Sequence, residues 1–277
     1  MKDKLLLSVQ DISCVGQCSL TVALPVISAC GVETAILPSA VLSTHTGGFK
    51  DFTFRDLTDD IPAIVAHWKR EGICFDAVYT GYLGSKRQIA LVAELFDAVV
   101  DREGLRIVDP AMADHGKLYT GFDAEFAATM ASLCAKADIV IPNITEAAMM
   151  TGHPFVADGY DEAYIRALME GMLSIGAKTV VLTGVSYNKE SIGVAVLNKG
   201  ESEISYYFHK RLPRNSHGTG DVFASSFTGA LLRGRAPLEA AKIAADFTMA
   251  AMQATEETHW YGVRFEKVLP LLAKALA

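Results

Sequence analysis

Short apolar runs alternate with longer amphipathic stretches along the chain, and this alternation is the strongest constraint on its fold. The predicted strands are residues 4–9, 33–38, 75–80, 105–108, 137–141, 178–182, 191–197 and 204–208. The predicted helices are residues 57–69, 87–100, 124–136, 162–174 and most of the chain after residue 220. Strands separated by helices predict a three-layer α/β fold, in which helices cover both faces of a mostly parallel sheet.

The segment 191–208 departs from this alternation. Two strand-like runs there flank the polar turn 198–201, so the pattern predicts a hairpin at the edge of the sheet. No Pro-, Gly- or Ser-rich linker and no internal repeat divides the chain. We therefore expect one domain over residues 1–277, with ligands beyond the carboxyl ends of the parallel strands.

Composition narrows the classes of partner. Of the 277 residues, 51% are hydrophobic, which is enough for a large core and excludes a disordered chain. Lys and Arg number 25 against 32 Asp and Glu, and the net charge of −7 has the wrong sign for binding nucleic acid. One basic cluster either steers an anionic ligand or forms a solvated edge; it comprises His209, Lys210, Arg211 and Arg214.

A membrane-spanning or exported protein is also not expected. Residues 12–32 carry no charge, but Pro25 and several Ser and Gln side chains interrupt the apolar run, which suits a turn entering a buried helix. The apolar run at the amino terminus is too short for a signal peptide. The five cysteines form no CxxC pair and have no zinc-ligand spacing, which predicts reduced, buried thiols in a cytoplasmic protein.

The most informative motif is GTGD at residues 218–221, which leads directly into a helical pattern. Two glycines ahead of a helix let backbone N–H groups converge on an anion, which the helix dipole also favours. The alternative is a tight turn with Asp221 as an ordinary acid in the first helical turn. Beside a bound phosphate, Asp221 would suit a general base that takes a proton from an attacking hydroxyl, as phosphoryl transfer requires.

Two further motifs follow predicted strands. Asn143 and Glu146, in PNITE, have the spacing of a helix capping box, and Glu146 equally suits a Mg²⁺ site, directly or through water. Asp109, in DPAMAD, closes another apolar strand and is either a capping acid in a surface loop or a ligand-binding residue. The Gly-containing segment that follows Asp109 could fold over a substrate.

Together these segments resemble the pyridoxal kinase (vitamin B6 kinase) branch of the ribokinase-like superfamily over nearly the whole chain. GTGD resembles the anion hole and catalytic Asp, while DPAMAD, GKLY and PNITE resemble the ATP and metal segments. THT at 44–46 and GYLGS at 81–85 resemble segments that line the B6 pocket. The resemblance implies a ribokinase-like αβα sandwich that uses ATP to phosphorylate the 5′-hydroxyl of pyridoxal, pyridoxamine or pyridoxine.

The resemblance gives each candidate residue a role. Asp221 would deprotonate the vitamin hydroxyl, while the N–H groups of Gly218, Thr219 and Gly220 would hold the developing charge. The residues expected near ATP and its Mg²⁺ are Asp109, Asn143, Glu146 and Thr183, of which the first and third would serve the metal. The residues expected around the vitamin are Asp11, His45, Thr46, Tyr82 and Tyr119, the last on a closing loop. A homodimer is implied, and a requirement for a monovalent cation such as K⁺ is left open.

Asp11 departs from the family pattern, because the better-known members carry Ser at this position after the first strand. An acid there would accept a hydrogen bond from a ring N–H or a phenolic hydroxyl, or attract the amine of pyridoxamine. We therefore predict that Asp11 biases the preference among the B6 vitamers.

Three rival functions share parts of this pattern. A hydroxymethylpyrimidine kinase of thiamine synthesis has the same fold and anion hole, but its Gly-rich opening after the first strand is replaced here by QDISCVGQCSLT. A ribokinase-type sugar kinase would need an amino-terminal diglycine and a long β lid, which are absent. A non-catalytic B6-binding regulatory protein would have no physical need for Asp221, Glu146 and both glycines of the GTGD motif.

Overall fold

A computed structural model describes residues 4–213 and 216–277. The strands are β1 Leu5–Ser13, β2 Glu33–Leu42, β3 Phe54–Asp56, β4 Phe75–Thr80, β5 Val100–Val108, β6 Ala113–Asp114, β7 Lys117–Leu118, β8 Ile139–Val140, β9 Thr179–Val185, β10 Ser191–Asn198 and β11 Ser205–Lys210. The helices are α1 Leu20–Ala29, α2 Ile61–Arg70, α3 Lys86–Val99, α4 Ala124–Cys134, α5 Ile144–Thr151, α6 Glu162–Ile175, α7 Thr219–Leu232, α8 Pro237–Ala254 and α9 Leu269–Leu276, with a 3₁₀ turn at Phe265–Lys267.

Within the described residues, nine strands form one sheet in the order β11-β10-β9-β8-β5-β4-β1-β2-β3. All neighbours from β9 to β2 are parallel. The short strand β3 pairs antiparallel at one edge, and the β10–β11 hairpin does so at the other. These pairings confirm the predicted mostly parallel sheet and its edge hairpin.

Alternating strand residues face two separate cores. In β1, Leu7 packs into a core with helices α2 to α6, while Leu6 packs into a core with α1 and α7 to α9. Each face of the sheet therefore buries its own apolar surface under helices, which confirms the three-layer αβα arrangement.

The strand order reverses direction at β1. The next strand along the chain, β2, lies on one side of β1, whereas β4 and the later parallel strands lie on the other. Ligands of open parallel sheets collect beyond the carboxyl ends of the strands at such a reversal. The ends of β1 and β4 therefore mark the place to look for a site.

Several sequence expectations were wrong, including the end of β2, which runs to Leu42, and the start of β5, which lies at Val100. Strand β1 runs on to Ser13, because an irregular register between Gln10 and Ile12 lets it continue pairing with β2. Strand β9 extends to Val185 by pairing with β10, so Thr183 lies inside the strand and not just after it. The cysteines are free, but Cys14 and Cys74 are exposed and not buried.

The uncharged segment 12–32 folds as the end of β1, a turn and α1, which contains Pro25. No helix in the ranges 4–213 and 216–277 is long and apolar enough to cross a membrane. In the basic cluster, Lys210 and Arg211 are exposed at the end of β11, and Arg214 lies outside the described residues. That residues 1–277 form a single domain stays a prediction.

Candidate active site

The GTGD motif forms the amino-terminal end of α7. Gly218 precedes the helix with a φ of 77°, and a Cβ at this position would lie 2.0 Å from the carbonyl oxygen of Gln17. No side chain caps the helix, and the space beside Gly220 is open for at least 4 Å. The first-turn N–H groups lack acceptors within the helix and carry its positive partial charge, so they can hold an anion.

Asp221 lies in this first turn beside those N–H groups. Burial raises its pKa to about 7, the backbone N–H of Ser19 lowers it by hydrogen bonding, and the negative charge of Asp11 raises it. A carboxylate with a pKa near neutral can both accept a proton and release it afterwards, which are the properties of a general base.

Glu146 is 3% exposed and connects α5 to the loop after β5. One carboxylate oxygen accepts the N–H of Met112 at 3.1 Å, and the other accepts the N–H of Asn143 at 2.8 Å. The Asn143 side chain accepts the Glu146 N–H, which completes the capping box, and donates to Ala113 O at 2.8 Å. The capping-box interpretation is therefore confirmed, and this pair also fixes the loop that Asp109 begins.

Asp109 directly follows β5, and its N–H donates to Thr80 O at 2.9 Å. Burial raises the pKa of Asp109 well above its ordinary value, and the charges of Glu146 and Asp221 raise it further. The charges of two carboxylates from other elements thus act on Asp109 at the carboxyl end of the sheet. Thr183 joins the same region because its N–H donates to Pro142 O at 2.9 Å.

The donor chemistry of these residues fits Mg²⁺. Across the described ranges, no three His, Cys, Asp or Glu side chains form a metal-binding group of their own. Mg²⁺ usually takes only one or two carboxylates, together with water and substrate phosphates. A cation would offset the like charges around Asp109, whereas Glu146 already accepts N–H bonds on both oxygens and suits a water-mediated contact. The metal role of both residues stays a prediction.

Asp11 lies at the irregular register of β1, 4% exposed, with Ser13 Oγ donating to Oδ2 at 3.0 Å. Burial raises the pKa of Asp11, while the hydroxyls of Ser19 and Ser13 lower it. Tyr82 follows β4 and stacks on Phe122, with 5.6 Å between the ring centroids. Burial raises the pKa of Tyr82, and the nearby charge of Asp11 raises it further. The strand reversal therefore brings Asp11 and Tyr82 together.

Both ring nitrogens of His45 are hydrogen-bonded to backbone atoms, and its role beside the vitamin stays a prediction. Its Nδ1 accepts the Gly47 N–H at 3.0 Å, so Nε2 carries the proton and donates to Tyr261 O at 2.9 Å. Burial lowers the pKa of His45. A neutral ring with both nitrogens bonded to backbone holds its loop in place and offers a ligand only its carbon edge. Thr46, the next residue, is exposed.

Tyr119 follows the two-stranded β6–β7 hairpin and is 40% exposed. Its backbone N–H donates to Met112 O at 2.8 Å, so its position depends on the loop that Glu146 holds. Closure of this segment over a substrate stays a prediction.

Two buried residues near Asp221 were missed from the sequence. Ser19 precedes α1 at the position of an N-cap. Its side chain makes no capping hydrogen bond and instead hydrogen-bonds Asp11. Tyr79 is fully buried, and after burial the charges of Asp109 and Asp221 raise its pKa. For Tyr79, a tyrosine inside an apolar strand was a signal in the sequence. For Ser19, no sequence signal distinguished it from an ordinary helix cap.

Comparison with known proteins identifies the family. Residues 23–263 match the phosphomethylpyrimidine kinase family. A Bacteroides thetaiotaomicron protein, named as a candidate phosphomethylpyrimidine kinase and solved with pyridoxal, is 36% identical with a TM-score of 0.92, covering 98% of this chain and 96% of its own. Pyridoxal kinase from Lactobacillus plantarum is 32% identical with a TM-score of 0.88, covering 98% and 97%.

A curated relative agrees with this assignment. The pyridoxine/pyridoxal/pyridoxamine kinase of Bordetella pertussis is 29% identical over 262 residues, which cover 90% of this chain and 89% of that protein. The mostly parallel sheet with helices on both faces matches the fold of the pyridoxal kinases. The chain therefore belongs to the phosphomethylpyrimidine kinase family and is a kinase of the ribokinase-like superfamily, alongside the pyridoxal kinases.

Proposed function

We propose that this kinase transfers the γ-phosphoryl group of ATP to the 5′-hydroxyl of a B6 vitamer: pyridoxal, pyridoxamine or pyridoxine. One observation carries the proposal: Asp221, with its pKa raised to about 7, lies in the first turn of α7 beside backbone N–H groups that can hold a phosphoryl group. The likeness to pyridoxal kinases and to a relative solved with pyridoxal supports the choice of vitamin.

The reaction needs little covalent chemistry from the protein. The vitamin oxygen attacks the γ-phosphorus as its proton passes to the Asp221 carboxylate, and the bond from the γ-phosphorus to the bridging oxygen breaks to release ADP. The N–H groups of Gly218, Thr219 and Gly220 stabilise the charge that develops on the transferring group.

The nucleotide side of the site draws on Asp109, Asn143, Glu146 and Thr183. Asp109 and Glu146 would hold Mg²⁺, Glu146 through water, and the ion when bound neutralises phosphate charge. Asn143 and Glu146 also keep the loop after β5 in place through their capping box. The segment that carries Tyr119 would exclude water, which competes with the vitamin as acceptor.

On the vitamin side, Asp11 and Tyr82 would contact the ring, with His45 and Thr46 at its border. Hydroxymethylpyrimidine is the second candidate acceptor, because the matching family is named for phosphomethylpyrimidine kinase. A non-catalytic binding protein is disfavoured because Asp221 lies beside the N–H groups of the GTGD motif, a placement that binding of the vitamin alone does not require. We further propose a cytoplasmic homodimer.

The test is an acceptor panel. The protein with MgATP is given pyridoxal, pyridoxamine, pyridoxine or hydroxymethylpyrimidine in turn, ADP release is followed, and products are identified by mass spectrometry. The proposal expects vitamin 5′-phosphates with kcat/KM higher than for the pyrimidine. If only hydroxymethylpyrimidine is phosphorylated, it is the substrate and the B6 vitamers are not. If no acceptor supports ADP release, the protein is not a kinase for this class of substrate.

The activity should depend on pH through Asp221. A base must be ionised to act, so kcat/KM for the vitamin should fall as the pH drops below about 7, the raised pKa of this carboxyl. Rates measured from acid to alkaline pH at constant ionic strength give the apparent pKa. Asp11→Asn tests the assignment further, because it removes the charge that raises the pKa of Asp221. The acid limb of the pH–rate profile should therefore move to lower pH, while the titrations of ATP and vitamin are unchanged. A limb that stays in place would contradict the assignment.

Asp11 should also influence vitamer choice. Asp11→Ser removes a buried carboxylate that attracts the amine of pyridoxamine but not the aldehyde of pyridoxal. A hydrogen bond to a charged group is worth about 1.5–3 kcal/mol, so the ratio of kcat/KM for pyridoxamine over pyridoxal should fall about tenfold or more. The measurement is a competition assay with both vitamers present. An unchanged ratio would remove Asp11 from substrate selection.

A further inference from the structure

Gln17 lies in the turn between β1 and α1 and is tied to the carboxy-terminal segment 259–266. Its Oε1 accepts from His259 Nε2 at 2.8 Å, and its Nε2 donates to Glu266 Oε1 at 2.9 Å. Its backbone N–H donates to Tyr261 O at 3.5 Å. These contacts join residues about 240 positions apart in sequence, and the phosphoryl transfer proposed above uses none of them directly.

The orientation of the Gln17 amide is fixed by its neighbours. Arg264 Nε donates to His259 Nδ1 at 3.2 Å, which leaves the proton on Nε2 to donate to Gln17. Burial, and then the charge of Arg264, lower the pKa of His259, which favours the neutral ring that the hydrogen bond from Arg264 requires. With Oε1 engaged by His259, the Gln17 amide nitrogen faces Glu266.

The turn that Gln17 anchors supports the candidate active site directly. The Gln17 carbonyl oxygen packs so closely on Gly218 that a Cβ there would lie 2.0 Å away. Two residues later, Ser19 has a φ of 55°, a strained value for a residue with a side chain, and its N–H hydrogen-bonds the Asp221 carboxylate. The carboxy-terminal segment 259–266 also contacts His45, because the carbonyl oxygen of Tyr261 accepts a hydrogen bond from His45 Nε2.

We propose that Gln17 is a positioning residue for phosphoryl transfer: its side chain holds the turn that packs on Gly218 and presents the Ser19 N–H to Asp221. Gln17 touches no reacting atom and acts through these two neighbours. The inference rests on the proposed function, since it assigns Asp221 as the base. Small displacements of a base and an anion site reduce the rate far more than they weaken substrate binding.

A swap of the amide and carboxylate tests this role. Gln17→Glu places a carboxylate against Glu266 and removes the only donor between them, so kcat should fall about 10- to 100-fold with little change in the KM for ATP or vitamin. Glu266→Gln alone keeps an acceptor for Gln17 and should be nearly neutral. The double variant restores a donor, because the amide introduced by Glu266→Gln donates to the carboxylate introduced by Gln17→Glu. That carboxylate still accepts from His259, so most of the lost kcat should return.

Asn198 provides a matched control at the far edge of the sheet. Its Oδ1 accepts from Thr179 Oγ1 at 2.8 Å and its Nδ2 donates to Glu201 Oε2 at 2.9 Å, the same arrangement of one donor and one Glu. Asn198→Asp should lower the melting temperature to a similar degree and leave kcat unchanged. Hydrogen exchange should show faster amide exchange at residues 17–19 in Gln17→Glu and wild-type rates in the double variant.

The outcomes separate the two claims. A wild type inactive toward every acceptor refutes the proposed function, and with it the role of Gln17 in transfer. An active wild type with unchanged kcat in Gln17→Glu, or a double variant as impaired as the single, refutes only the positioning role. If Gln17→Glu does not fold, Gln17→Met, which keeps the chain length without either hydrogen bond, gives the same comparison against Asn198→Leu.

Discussion

Replacing Asp221 with Asn is expected to lower kcat for vitamin phosphorylation by about 10²- to 10⁴-fold, the usual contribution of a positioned general base. The amide keeps the size of the side chain and its place in the first turn of α7, so MgATP should still bind. Rates are measured at saturating substrates, and nucleotide affinity is measured by calorimetry. Asp161→Asn is the control, because Asp161 caps α6 and Asn caps a helix equally well.

The same variant should gain stability at alkaline pH. The pKa of Asp221 rises from 3.8 to about 7 in the fold, so ionisation costs stability, and the cost develops as the pH rises through this interval. Asn carries no such cost, so the melting temperature of Asp221→Asn should equal or exceed that of the wild type at pH 8 and fall relative to it in acid. A variant that retains full kcat, or one that loses stability at pH 8, would contradict the role of Asp221.

Gly218→Ala is expected to have the second largest effect, with kcat at least about 100-fold lower. Its φ of 77° is unfavourable for Ala, and the added Cβ would lie 2.0 Å from the Gln17 carbonyl oxygen, so the turn or the helix end must shift. The shift would displace the N–H groups that hold the phosphoryl group. Steady-state kinetics and thermal unfolding are measured together.

Gly159→Ala separates backbone strain from this clash. Gly159 has a φ of 75° with no atom near the added Cβ, so only the cost of the left-handed conformation, about 1–2 kcal/mol, should appear. Activity should be unchanged in Gly159→Ala. If both Ala variants lost stability equally and both kept activity, the packing of Gln17 on Gly218 would have no catalytic importance.

Local sequence pattern was enough to locate the interior strands of the sheet, but it gave both ends correctly only for β4. Strand β4 spans residues 75–80, as predicted, because Phe75, Val78, Tyr79 and Thr80 favour a strand and Gly81 follows directly. The three-residue strand β3 is exposed throughout and carries no apolar pattern that could reveal it. The register irregularity at Asp11 depends on the pairing with β2, which local sequence does not encode.

For the site, motifs identified residue types but not all of their contacts. Asn143 and Glu146 have a spacing that predicts both a capping box and a ligand site, and the observed capping box leaves the metal role to experiment. The spacing around His45 gives no sign that Gly47 and Tyr261 would take both ring nitrogens. The contacts of Gln17 join distant segments, so they follow only from the tertiary structure.

The central claim is that the start of α7 holds the terminal phosphoryl group of ATP while Asp221 receives the vitamin proton. A crystal structure with a nonhydrolysable ATP analogue and pyridoxamine tests it most directly. The account predicts the γ-phosphate on the N–H groups of residues 218–220, with the 5′-hydroxyl within hydrogen-bonding distance of Asp221. A nucleotide bound elsewhere, or a vitamin hydroxyl pointing away from Asp221, would contradict it.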